Sequence, residues 1–184
     1  MTFAHPPSTL IAICNYRKET KTKIMVLNPI QLADLDPRHP VAVYAAYHQK
    51  KMGAGNLLLK DNFDPIDLPK VLPWMMILDR TGDPADPQFI YRLAGTGCRE
   101  IFGIDYTGKL LGDNLPADAA EQRREEILDV MERRTPSITR TAIPLAGREF
   151  MTIIRGVFAV SSDGETIDRI HIIIAPEDQR LRTT

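Results

Sequence analysis

Four basic side chains interrupt otherwise apolar, strand-like segments, and they are the residues of this sequence best able to contact a charged partner. They are Arg92, Arg140, Arg155 and His171. A buried cation requires a carboxylate partner or an anionic ligand, because burial removes its water shell. One interpretation pairs each cation with residues such as Glu149 or Asp168 on a solvated or helix-covered sheet face. The other places Arg92, with one or two of the others, in a cavity for a carboxylate or phosphate.

The register of the last predicted hairpin decides which sheet face Arg155 occupies. A two-residue turn at Asp163-Gly164 pairs Arg155 with Ile172, whereas a slip of one residue pairs it with His171. A slip of this size moves every side chain of the strand to the opposite face. The sequence leaves both registers open.

Patterns typical of catalysis or metal binding do not occur in this sequence. The four histidines lack metal-ligand spacing such as HxxxH, and no serine stands in a GxSxG motif. Gly95-Thr-Gly97 begins like a dinucleotide fingerprint, but Glu100 occupies the place of the third glycine. Glu125 and Glu126 point about 100° apart on a helix, as on a solvated helix face. We therefore expect no catalytic residue, no metal site and no enzymatic activity.

Length, charge and cysteine spacing limit the class of protein. A chain of 184 residues can bury one core without disulfides, and a net charge of −1 argues against a nucleic-acid-binding surface. Cys14 and Cys98 lie far apart without CxxC spacing, so we expect reduced thiols in a cytoplasmic protein. Cys98 is predicted to be a small packed thiol on the inner side of a short helix. No apolar run approaches the roughly 20 residues that span a bilayer.

The N-terminal third divides into a leader, a helix and a connector. Residues 1–38 carry prolines and scattered charge, which is typical of a weakly structured leader. Because the segment from Met25 leads into the adjacent helix better than residues 1–24 do, one interpretation is that residues 1–24 derive from an upstream start codon. Residues 39–67 form a helix and a connector, and the helix has an apolar stripe. We predict a homodimer whose interface is formed by Val41, Tyr44, Ala45 and His48.

The remaining sequence predicts an α+β domain. Strands are predicted over 74–79, 88–94, 137–145, 149–160 and 167–175, a short helix over 99–102 and a long helix over 116–134. Five antiparallel strands with helices inserted in the middle can bury one sheet face under those helices. The other face is left for the N-terminal helix. The turn signals at Gly147 and Asp163-Gly164 predict that the last three strands form a continuous antiparallel meander.

This order of elements resembles the PAS family, over about residues 68–176 with a C-terminal tail at 177–184. The resemblance is closest to small single-domain bacterial PAS proteins, and three motifs carry it: Asp64-Pro-Ile-Asp-Leu-Pro-Lys-Val-Leu-Pro73, Tyr91-Arg-Leu-Ala-Gly-Thr96 and Asp105-Tyr-Thr-Gly108. It implies a PAS-like five-stranded antiparallel sheet with inserted helices, preceded here by a helical extension. It also implies a cytoplasmic sensor for signal transduction, which binds a small ligand or makes protein–protein contacts.

The resemblance leaves the cofactor and the signalling partner unknown. The long helix lacks the proximal histidine of haem-binding members, and Cys98 precedes the position of the reactive cysteine in flavin-photosensing members. A small enzyme using the inter-layer cavity and a structural adaptor with a filled core remain alternatives.

A PAS-like arrangement implies a ligand site between the sheet and the helices. Its predicted residues are Tyr91, Arg92, Phe102, Ile127 and Met131. Arg92 is the cation expected to meet an acidic ligand. In a regular strand, however, Arg92 and Tyr91 point to opposite faces, which favours an apolar ligand over an anionic one.

Overall fold

The computed structural model describes residues 27–52, 57–143 and 151–182, which form one twisted sheet and three α-helices. The strands are β1 (Asn28–Pro29), β2 (Leu58–Leu59), β3 (Met75–Asp83), β4 (Asp86–Ala94), β5 (Ser137–Ala142), β6 (Thr152–Ser161) and β7 (Ile167–Pro176). The helices are α1 (Pro40–Lys51), α2 (Thr96–Phe102) and α3 (Ala117–Arg133). No helix in these ranges is long and apolar enough to cross a membrane.

The sheet places the hairpin of β3 and β4 beside the last strand, β7. Its order is β1-β5-β6-β7-β3-β4, and β2 adds a short parallel pairing to β6. Strands β5, β6 and β7 pair antiparallel in succession, which confirms the predicted meander. Strand β7 then pairs with β3, so the leading hairpin joins the meander edge to edge. The observed architecture is the predicted α+β fold.

Helices cover both faces of the sheet, and each face has its own apolar core. On the inner face, Ile127 and Val130 of α3 pack over Ile172 and other inward-facing strand residues. On the outer face, α1 packs over Phe158 and Ile173. Side chains alternate along a strand, so β6 and β7 contribute to both cores.

Helix α1 packs against the sheet of its own chain through the side chains predicted to form a dimer interface. Val41 and Tyr44 are fully buried and belong to the outer core, together with Ala45. His48 packs on the Phe158 ring and donates from Nε2 to the Ala159 carbonyl at 3.2 Å. The stripe therefore does not lie on the surface of the single chain, because the apolar outer sheet face already covers it. Homodimerisation stays a prediction, but these four residues are not exposed to a second copy of the chain.

The last third of the predicted leader, residues 27–38, pairs with the sheet. Asn28 lies opposite Arg140 in the ladder between β1 and β5, and Ile30 N donates to the Ile138 carbonyl at 3.0 Å. Residues 1–26 lie outside the described residues. The predicted tail also makes contacts, since Leu181 N donates to the Arg38 carbonyl at 2.9 Å.

The loop between β6 and β7 is longer than the predicted two-residue turn. The Asp163 carboxylate accepts hydrogen bonds from the backbone N–H groups of Glu165 at 2.8 Å and Thr166 at 2.7 Å. Gly164 has φ +86°, a conformation that favours glycine. This closed loop changes the register, so that Arg155 pairs with Ile174. Both predicted registers were wrong.

A polar cluster is buried under α1 in the outer core. The Tyr44 hydroxyl and His171 Nδ1 share a hydrogen bond of 2.5 Å, and the Phe63 ring lies 4.7 Å from the His171 ring. Among the described residues, His171 Nε2 has no hydrogen-bond partner. Burial, assisted by the positive charge of Arg169, lowers the pKa of His171 to about 3. His171 is therefore neutral in the folded chain at physiological pH.

Acidification should destabilise the outer core through His171. Its ordinary pKa is 6.5 and its folded pKa is about 3, so the unfolded chain binds more protons between these values. We expect the free energy of unfolding to fall below pH 6.5, by up to about 1.4 kcal/mol per pH unit from this residue. Urea unfolding of wild type and His171→Gln at several pH values between 7 and 5 measures the two slopes.

Two matched variants make this measurement decisive. Glutamine can still bond to the Tyr44 hydroxyl but does not titrate, so His171→Gln should show the shallower slope. Lys50→Gln, on the exposed side of α1, should keep the wild-type slope. Parallel profiles for wild type and His171→Gln would contradict the assignment.

Candidate functional site

A small cavity of about 40 Å³ lies between the inner sheet face and the helices. It is lined by Met76, Tyr91, Phe102, Tyr106, Leu115, Arg123, Ile153, Arg155, Ile172 and Ile174. These residues come from four strands, from α2 and α3, and from the segment that joins the two helices. The cavity is therefore apolar except for two arginines and two tyrosines.

One wall of the cavity is aromatic and is held in place by the chain around Gly95. The Tyr91 and Tyr106 rings lie 5.1 Å apart, and Phe102 meets Tyr106 edge-on at 5.6 Å. Phe102 ends α2, which starts directly after Gly95. A Cβ at Gly95 would lie 2.4 Å from the carbonyl oxygens of Leu72 and Pro73. Only glycine fits this close backbone approach, which fixes the position of α2.

The segment after α2 is fastened to the edge of β4. Gly108 N donates to the Tyr91 carbonyl at 2.7 Å, and Tyr91 N donates to the Lys109 carbonyl at 2.9 Å. Gly103 and Gly108 both have positive φ and allow the turns that bring Tyr106 back over the sheet. The aromatic wall is thus built by backbone hydrogen bonds as well as by ring packing.

A buried charged cluster lies beside the cavity, and its two arginines, Arg123 and Arg155, line it. The Glu126 carboxylate of α3 accepts hydrogen bonds from Arg155 of β6 and, at 3.4 Å, from Arg123 one turn earlier in α3. Ser137 and Thr139 of β5 also donate to it, at 3.0 and 3.4 Å. The three charged side chains are only 4 to 8% exposed. Glu126 attracts both guanidinium groups strongly because little water reaches them to screen the interaction.

The protonation states of the cavity depend on burial. Burial, followed by the charge of Arg155, lowers the pKa of Arg123 to about 10. Burial raises the pKa of Tyr91 to about 12, against the opposing effect of Arg155. At neutral pH Arg123 is charged and the Tyr91 hydroxyl keeps its proton. The cavity thus offers hydrogen-bond donors beside apolar surface.

The structure brings together some of the predicted ligand residues. Tyr91 and Phe102 line the cavity, whereas Ile127 and Met131 pack in the same inner core without lining it. Arg92 lies elsewhere: its side chain is 61% exposed and bonds to Asp79 at 3.2 Å. Arg92 lies at a bulge in the ladder between β3 and β4, where Ile77 pairs with Leu93 and Leu78 with Tyr91, and its side chain stays on the surface. Arg92 is therefore not the cation of this cavity.

The other cations considered from sequence have separate positions. Arg140 is exposed and forms an ion pair with Glu177 at 2.6 Å. His171 faces the outer core. Arg155 is the strand cation that lines the cavity, and its partner is Glu126, where sequence reasoning suggested Glu149 or Asp168.

Sequence reasoning missed Glu126 and undervalued Arg123. Glu126 was assigned to a solvated helix face, yet it is buried, whereas its neighbour Glu125 is exposed. The signal in the sequence was the position of Arg123 within the apolar stripe of α3, three residues before Glu126. A charged residue on the buried side of a helix requires a partner, and a residue one turn away on the same side can provide it.

Two other features are of less functional interest. A larger cleft of about 610 Å³ lies near the outer face, between α1, β1 and the end of α3, and its charged side chains are the surface pair Asp129 and Arg133. Cys98 is buried in the inner core, as predicted, and burial raises its pKa to about 12. Within the described ranges, no three His, Cys, Asp or Glu side chains are grouped to hold a metal ion.

Removal of the Glu126 charge should be costly. Glu126→Gln leaves two buried guanidinium groups without their shared carboxylate, so we expect a loss of about 3 kcal/mol in the free energy of unfolding. Urea denaturation measures this loss. Glu125→Gln is the matched control and should change stability by less than about 0.5 kcal/mol. Equal effects at the two positions would show that the cluster does not contribute to folding.

Comparison with known proteins identifies the family. A model of the PAS domain matches residues 37–154, which is more than half of the chain and includes α1, the aromatic wall and α3. A search of curated proteins finds no match. The sheet order, the helices inserted between β4 and β5 and this match agree: the chain belongs to the PAS domain family.

Proposed function

We propose that this protein is a cytoplasmic, non-enzymatic sensory module that binds a small molecule in the inner cavity and signals through protein–protein contacts. The observation that carries the proposal is the cavity itself, which combines an aromatic wall with buried arginines. Binding sites for small molecules are typically apolar concavities with a few placed polar groups. Membership of the PAS family supports a sensory or interaction role.

Strand β6 provides a physical route from the cavity to the outer surface. Arg155 and Val157 face the inner core, whereas Phe158 faces α1. Between them, a Cβ at Gly156 would lie 2.9 Å from Val41 Cγ1 of α1 and 2.7 Å from the Phe158 ring. A displacement of β6 on ligand binding would therefore press directly on α1. We propose that homodimerisation or contact with a signalling partner responds to this displacement.

A second candidate function is an adaptor that recognises other proteins without a ligand. The small volume of the cavity favours an adaptor. Its volume of about 40 Å³ is only a few times the roughly 10–15 Å³ that one water molecule requires. Enzymatic use of the cavity is not part of the proposal. No carboxylate is among the described lining residues, and Glu126 behind the arginines is already bonded to Arg155, Arg123 and two hydroxyl groups.

A tryptophan placed in the cavity should separate sensing from an adaptor role. Leu115 lines the cavity and is half-buried, so Leu115→Trp should fill the space and weaken ligand binding about tenfold or more. Native mass spectrometry of the purified chain and a thermal-shift screen of small metabolites provide the measurement. The control is Leu93→Trp, because Leu93 is 41% exposed.

Ligand binding by wild type and Leu93→Trp, but not by Leu115→Trp, would support sensing. A wild-type chain that carries no small molecule and responds to no compound in the screen would reject sensing and leave the adaptor function.

A further inference from the structure

We infer that the inner cavity selects a short-chain carboxylate, which the Arg155 guanidinium binds directly. The inference rests on the proposed ligand-binding function and adds the chemical class of the ligand. It also moves the anion-binding role from the exposed Arg92 to a buried residue that lines the cavity.

Arg155 has more hydrogen-bond donors than its neighbours use. A guanidinium carries five N–H donors in one plane. Among the described residues, the only hydrogen-bond partner of the Arg155 side chain is Glu126, which bonds to Nη1. Arg155 is 4% exposed and lines the cavity, and its other donors are not among the fully buried nitrogens, so they remain open to water or a ligand there.

The charge of Arg155 also favours an anion over a neutral ligand. Arg155 shares its acidic partner, Glu126, with a second guanidinium, that of Arg123. An anion in the cavity would place a second negative group beside Arg155. The two would attract strongly because little water is present to screen their charges. An uncharged ligand of the same shape would accept hydrogen bonds without this Coulombic gain.

The shape of the cavity points to a carboxylate with a short aliphatic chain. A carboxylate is planar and accepts two parallel hydrogen bonds from one guanidinium. The rest of the wall is apolar, with Ile153, Ile172 and Ile174 on the sheet side. A volume of about 40 Å³ leaves room for few non-hydrogen atoms. A phosphate would present more charged oxygens than this wall can satisfy, so acetate and propionate are the appropriate probes.

Isosteric pairs of probes provide the test. Wild-type protein is titrated at constant ionic strength with acetate and propionate, and in parallel with acetamide and propionamide. Binding is followed by isothermal titration calorimetry and by the methyl NMR signals of Ile153, Ile172 and Ile174. We expect the carboxylates to bind about tenfold or more tightly than the amides and to shift these methyl signals.

Arg155 variants assign the contact to this residue. Arg155→Met should weaken propionate binding by about ten- to a hundredfold and propionamide binding by a clearly smaller factor, because the amide loses only a neutral hydrogen bond. Arg155→Lys keeps the charge but loses the planar fork, so it should bind propionate with intermediate affinity. Arg92→Met is the matched control, since it removes an exposed arginine, and should bind as wild type does. If Arg155→Met fails to fold, Arg155→Lys alone decides the comparison, because Glu126 then keeps a cationic partner on β6 as well as Arg123.

The results separate this inference from the proposed function. Equal affinity for propionate and propionamide, or full propionate affinity in Arg155→Met or Arg155→Lys, would overturn the inference. If neutral molecules bind to the wild type but not to Leu115→Trp, ligand sensing stands and only the proposed ligand class is wrong. If no probe and no compound in the metabolite screen binds to wild type, ligand sensing fails together with the inference.

Discussion

The burial of β6 on both of its faces is the constraint on which the rest of this structure depends. Residues 153–160 are all buried, although side chains alternate between the two faces of a strand. An antiparallel sheet commonly leaves one face to water, but here neither face of its central strands can do so. The helices α2 and α3 cover one face, and α1 must cover the other. The charge of Arg155 is consequently enclosed, and Glu126 has to be enclosed with it.

Sequence periodicity was sufficient to predict the three helices, the five long strands and their order, but not the two-residue strands β1 and β2. The predicted helix at 116–134 and the observed α3 differ by one residue at each end, because Pro116 and Thr135-Pro136 bound the helical stripe. The placement of helices on both faces of the sheet was predictable from the same patterns. In each case the signal was local: an apolar stripe, a proline or a turn residue.

The candidate site depended on information that is not local. Whether Glu126 is solvated or buried is decided by Arg155, which lies 29 residues away on another element. The partner of Arg155 on β7 depends in turn on the loop after β6. There the Asp163 carboxylate accepts backbone hydrogen bonds that stabilise a loop longer than two residues. The stripe of α1 showed that the helix needs a cover, but not whether the cover belongs to the same chain. Its four residues were therefore assigned to a dimer, although they pack in cis.

The close approach at Gly95 has a consequence for how such a module can diversify. Because the backbone of Leu72 and Pro73 leaves no space for a side chain there, the start of α2 cannot shift without rebuilding the chain on both sides. The framework behind the aromatic wall is thus held constant, while the ring-bearing positions in front of it are free to vary in size and polarity. Related chains could acquire new chemical preferences by exchanging Phe102 or Tyr106 alone, with the same scaffold presenting each replacement to the same space.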